Sequence, residues 1–111
     1  MKMSFNNPGY ITTGFNTEVP LLVQLYMIAE IEALSELDSD KVDYFQVFRL
    51  KRKLIGSEIH QEITIEQENP PRQHTTYFPF SDAVNCTVFC IDAEEYHTYM
   101  LSDAPTHKYN I

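Results

Sequence analysis

Four side chains in the stretch CTVFCIDAEEYH have the types that thiol chemistry needs: Cys86, Cys90, Asp92 and His97. A cysteine acts as a nucleophile when a neighbouring base takes its proton and a third group orients that base. His97 is the candidate base and Asp92 the candidate orienter, provided that the last two strands are neighbours. The local sequence argues against such a role. Thr87, Val88, Phe89 and Ile91 favour a strand. A thiol buried in a strand has a raised pKa and is a poor nucleophile. In a strand, Cys86 and Cys90 share one face about 13 Å apart, at ~3.3 Å per residue, too far for a disulfide between them. Buried, reduced thiols are the favoured reading, and a small thiol-dependent enzyme using Cys86 or Cys90 is the alternative.

The remaining chemistry-bearing residues form no recognisable constellation. His60, His74, His97 and His107 share no metal-ligand spacing. The chain has no G-x-S-x-G, no glycine-rich phosphate loop and no H-E-x-x-H. Glu94 and Glu95 are adjacent and belong in a solvated turn. No catalytic, cofactor-binding or metal-ligating residue is assigned, no cofactor is expected, and the chain is read as a non-enzyme. Tyr10, Tyr44, Tyr77, Tyr96 and Tyr99 fall in or beside strands, where aromatic faces can stack single-stranded nucleic acid. Such platforms sit in basic grooves, whereas this chain carries a formal charge of −8. An acidic domain repels phosphate backbones, so nucleic-acid binding is not expected and the tyrosines are assigned to core and cross-strand packing. The same charge leaves a further alternative, an acidic inhibitor of a DNA-binding protein.

The elements that would position these residues can be read from pattern. The 111 residues are 43% hydrophobic and 22% charged, with only 3 glycines. That balance suits one globular domain, 1–111, with an ordered core of about 9–103. YITTGF (Tyr10 to Phe15) reads as a first strand. NTEVPLLVQLYMIAEIEAL then reads as a helix capped by Asn16 or Thr17, with Pro20 in its first turn, running to about Leu37 before Asp38 to Asp40 break it. DYFQVFRLKRKLIGSEIHQEITIEQE reads as a hairpin turning on Gly56-Ser57, a type II′ signal. With that turn, Leu54 opposes Ile59, Leu50 opposes Ile63 and Phe48 opposes Ile65. On the other face Lys53 meets His60, Lys51 meets Glu62 and Arg49 meets Thr64. This register makes the basic RLKRK stretch a solvated strand face rather than a phosphate site. ENPPRQ makes a turn, His74 to Phe78 a fourth strand stopped by Pro79, Asn85 to Ile91 a central strand apolar on both faces, and His97 to Leu101 a last strand. The tail after Pro105 is expected to fray. The predicted fold is α+β, one long helix on an antiparallel sheet of five to six strands.

The helix is apolar on more than one side. Leu21, Leu25, Ile28 and Ile31, with Met27 at the margin, are assigned to the sheet because they are the larger aliphatics. Leu22, Tyr26, Ala29, Glu30 and Ala33 form the second side and are the candidate interaction surface, to be covered by the chain itself, by a second copy or by another protein. The helix is broken by Gln24 and Glu30, short of the ~20 apolar residues of a membrane span. The N-terminus lacks a signal-peptide h-region, so no membrane association and a cytoplasmic location are expected.

YITTG (Tyr10 to Gly14), EVPLLVQL (Glu18 to Leu25), VDYFQVF (Val42 to Phe48) and CIDAEEY (Cys90 to Tyr96), in that order, resemble a family of small Firmicute and phage proteins, a domain of unknown function first catalogued from staphylococcal sequences. The resemblance spans Tyr10 to about Leu101. It implies a small single-domain cytoplasmic protein and carries over no site residues. The sequence therefore points to a non-enzymatic protein-interaction module or homodimer.

Overall fold

The computed structural model describes residues 4–102; the expected fraying tail with His107 lies outside them. Its centre is the hairpin. β2 (Phe45–Ile55) and β3 (Glu58–Gln67) pair antiparallel with Leu54 opposite Ile59, Leu50 opposite Ile63 and Phe48 opposite Ile65. Gly56 takes φ +65°, the left-handed value that a tight primed turn demands and that only glycine adopts without steric cost. The register is the one that hydrophobic alternation specifies, because a one-residue slip would put isoleucines opposite cations.

Four further strands complete one sheet of order β1-β6-β5-β2-β3-β4: β1 (Gly9–Ile11), β4 (Arg72–Pro79), β5 (Cys86–Asp92) and β6 (His97–Leu101). β5 is central, as its two apolar faces foretell. The pairings are antiparallel except that β1 joins β6 in parallel. That departs from the fully antiparallel sheet expected, because the chain must cross from one edge to the centre through the helical layer before β2.

The first helical elements differ from expectation. The strand ends at Ile11, and α1 spans Thr13–Glu18. Thr12, not Asn16 or Thr17, is the cap: its hydroxyl accepts from the Phe15 N–H at 3.2 Å. This local cap and complete burial of Phe15, stacked on Tyr99, override the strand propensity of Thr12, Thr13 and Phe15. Val19 is forced extended before Pro20, which splits the helical run. The second helix, α2 (Leu21–Leu34), ends before Leu37, and a short 3-10 turn follows at Ser39–Lys41.

α2 lies on one face of the sheet and buries Val23, Met27, Ile31 and Leu34 against Phe48, Leu50, Ile63, Ile65, Val88 and Cys90. The expected sheet-facing set is corrected: Leu21 and Leu25 are 69% and 53% exposed, Ile28 is half-buried, and Met27 is central rather than marginal. The cause is Gln24. Its buried amide donates to the Val19 carbonyl at 2.8 Å and to Asn16 Oδ1 at 3.2 Å, clipping the elbow between the helices. With Gln24 turned inward, Val23 and Met27 turn inward with it and the two leucines rotate out.

Polar groups on the covered face are paired. Gln61 accepts from the Val84 N–H and donates to the carbonyls of Lys51 and Val84. Gln46 donates to Gln67 Oε1 at 2.7 Å. No buried side-chain polar atom among the described residues lacks a partner. Among the described residues the other face of the sheet has no second layer.

Candidate functional site

The thiol constellation is brought together on one face of the sheet, with Cys90 deep in the core. β5 and β6 pair Cys90 with Tyr99 and Asp92 with His97, so all four occupy the face beneath the helices. Cys90 is fully buried, and burial pushes its thiol far above the ordinary range, with the Asp92 charge adding to the effect. Cys86, at the far end of β5, is half-buried.

His97 reaches Asp92 through Asn7, a residue the sequence reading missed. The Asn7 amide nitrogen donates to Asp92 Oδ1 and to the Glu94 carbonyl, both at 2.9 Å. Its oxygen must therefore face His97 Nδ1, 2.6 Å away, and Nδ1 carries the imidazole proton. Nε2 is left as the acceptor, 3.5 Å from the Tyr99 hydroxyl. That nitrogen is covered by Gly9, where an added Cβ would lie 2.7 Å from it. Burial lowers the His97 pKa against the opposing pull of Asp92. For Asp92, burial alone would raise the pKa. Donation by the Phe5 N–H, Asn7 and the Glu94 N–H, together with the His97 charge, outweighs it and lowers it. The cluster ties the N-terminal segment to the sheet edge; Cys90 is enclosed in the core, while His97 and Tyr99 border a cavity of about 390 Å³ shared with Phe5, Ile31 and Glu32. The fixed spacing of Cys90, Asp92 and His97 was legible in sequence; the Asn7 bridge was not, because its partners lie more than 80 positions away.

No group of three or more His, Cys, Asp or Glu side chains among the described residues could hold a metal ion. His60 hydrogen-bonds the Glu58 carbonyl at 3.3 Å on the hairpin surface, as expected. The RLKRK cations are accounted for in part by ion pairs of Arg49 with Glu66 at 2.8 Å and Lys53 with Glu62 at 3.2 Å.

The tyrosines depart from the packing expected of them. Tyr99 is buried, but Tyr10, Tyr44, Tyr77 and Tyr96 are exposed, and Tyr10 meets Tyr96 edge to face. Beside Tyr44, a groove of about 700 Å³ opens on the uncovered sheet face, walled by Phe45, Val47, Arg49, Glu66 and Arg72.

The five residues of the candidate interaction surface lie on the β4 side of α2. Leu22 is 43% and Tyr26 39% exposed; Ala29 and Ala33 are also exposed, and Glu30 is half-buried. This flank overhangs β4. Tyr26 stacks on Phe78 with ring centroids 4.0 Å apart and planes 11° from parallel, and Glu30 lies 3.8 Å from His74 Nε2. The contacts run Tyr26 to Phe78 and Glu30 to His74, so α2 and β4 are antiparallel. No charged residue occurs from Val19 to Ala29, although half of this stretch faces solvent. No helix among the described residues is long and apolar enough to cross a membrane.

No protein-family profile matches the chain, and no curated protein matches it. Among solved structures it is similar to a protein of unknown function from Enterococcus faecalis. That likeness has a TM-score of 0.64 at 18% identity, covering 94% of this chain and 97% of the other. At this identity it shows a shared fold alone.

Proposed function

We propose that this protein is a non-enzymatic interaction module that docks through the β4-side flank of α2: Leu22, Tyr26, Ala29, Glu30 and Ala33. One observation carries the reading. A helix apolar around most of its circumference is ordinarily covered around most of its circumference, whereas α2 is covered on one side only among the described residues. Burying further apolar surface stabilises by about 25 cal/mol per Å² before association costs, so Leu22 and Tyr26 are the natural anchors of a contact. The sealing of Cys90 supports a non-enzymatic reading over the thiol alternative.

The test is association measured by light scattering and by pull-down, with Leu22→Glu and Tyr26→Glu as probes. Each carboxylate placed in a desolvated contact is expected to weaken association at least ~10-fold, a loss of ~1.4 kcal/mol or more. A protein that stays monomeric at high concentration, with both substitutions neutral in pull-downs, overturns the reading.

A further inference from the structure

The two edges of the sheet are unlike. β1 is three residues long and runs directly into α1. β4 has eight residues and, among the described residues, pairs only with β3, so one side of its backbone faces outward. Which groups face outward follows from the ladder. In an antiparallel pair, residues that exchange both backbone hydrogen bonds alternate with residues that exchange none. The Phe80 N–H donates to the Ile59 carbonyl at 2.9 Å, in the register that pairs Pro79 with His60. Phe78, Thr76, His74 and Arg72 therefore point their N–H and C=O groups at β3. Gln73, Thr75 and Tyr77 point theirs outward, and so does Pro79, which has no N–H to expose.

The outward groups have a symmetry of their own. Pro71 and Pro79 stand four positions to either side of Thr75, and Gln73 and Tyr77 two positions to either side. An edge this long and free of internal proline, lysine or bulge is a template for pairing. The prolines leave one register that uses every outward N–H: an antiparallel copy of β4 with the two-fold axis at Thr75. Gln73 would then pair with the partner's Tyr77, and Thr75 with the partner's Thr75, on the order of six hydrogen bonds in all. No like charges oppose one another. His74 faces the partner's Thr76, and Arg72 faces the partner's Phe78, an uncharged neighbour. A contact of this kind is isologous and closes at two copies.

We infer that the occupant of the α2 flank is a second copy of this chain, joined by antiparallel β4–β4 pairing about Thr75 into one continuous sheet. Leu22 and Tyr26 of each copy fill the trench above the seam. The inference rests on the docking role proposed for that flank and adds the partner and the register.

Its test combines light scattering with hydrogen exchange on the intact chain. The expected mass is twice 12.9 kDa, with the amides of Gln73, Thr75 and Tyr77 protected at high protein concentration and exchanging on dilution. Those of His74, Thr76 and Phe78 stay protected throughout. Thr75→Pro removes the central outward donor without touching a β3–β4 backbone bond, and Thr75→Lys places two ammonium groups at the axis while leaving the backbone intact. Both give up the Thr75–Thr64 hydroxyl hydrogen bond of 2.9 Å, so Thr75→Val, which loses that bond alone, is the control and is expected to remain dimeric. Thr75→Pro and Thr75→Lys are each expected to weaken dimerisation roughly 30-fold or more, with unchanged circular dichroism. A dimer that survives both of these variants but dissociates with Leu22→Glu overturns the β4 seam and spares the flank. A monomeric wild type overturns the seam, and if Leu22→Glu is also neutral in pull-downs, both readings fall.

Discussion

At the scale of single residues, burial has placed a thiol with reactive-looking neighbours in the core and raised its pKa. Cys90, Asp92 and His97 have the types of a nucleophile, an orienter and a base, yet Asp92 and His97 hold the N-terminal segment and Cys90 is buried in the core. Iodoacetamide at neutral pH is therefore expected to leave Cys90 unmodified in the native protein and to alkylate it only after denaturation, as read by peptide mass mapping. The same cluster makes stability depend on pH in two steps. His97 has a lowered pKa in the fold, so the unfolded chain binds its proton first and stability falls as pH drops below about 6.5. Asp92 has a lowered pKa as well, so its contribution is present above about 3.9 and is lost as pH falls through the folded value. Asp92→Asn should remove the lower step in urea titrations and cost about 1–2 kcal/mol at neutral pH, because the new amide faces the Phe5 N–H with a donor.

At the scale of elements, two devices set the geometry. Gly56 at φ +65° closes the hairpin, and Gly56→Ala is expected to cost about 1 kcal/mol in chemical denaturation. The Gln24 clip sets the rotation of α2. Met27→Ala should therefore cost about 2–4 kcal/mol by leaving a core cavity, while Leu25→Ala should change monomer stability by less than about 0.5 kcal/mol. Comparable losses from both would mean that the helix is rotated toward the face that aliphatic size alone suggests. Strands β2 and β3 were legible because alternation and turn chemistry agree in them, and β5 because a short β-branched and aromatic run apolar on both faces suits a central strand. α1 was legible only in its second half, because Thr13, Gly14 and Phe15 read as the end of a strand and become helical through one threonine cap and one buried ring.

At the scale of the whole molecule, the sheet is covered on one side and carries exposed aromatics on the other, with a long free edge at β4. An acidic chain that pairs with itself must overcome the repulsion of two bodies each of formal charge −8. Raising ionic strength from low to physiological values, where the screening length shrinks from ~30 Å to ~8 Å, is expected to tighten self-association severalfold in sedimentation equilibrium. Weakening with salt would point instead to a contact held by ion pairs.

The α+β architecture, the hairpin register and the presence of surplus apolar surface on the long helix are properties of the sequence alone, because periodicity of apolar residues and local turn chemistry act over neighbouring positions. Which flank of that helix meets the sheet, which tyrosines lie in water and which strand is left as a free edge were decided by tertiary structure. Those outcomes depend on groups far apart in the chain, Asn7 against Asp92 and His97, Tyr26 against Phe78, β1 against β6, whose proximity exists only once the sheet has closed around them.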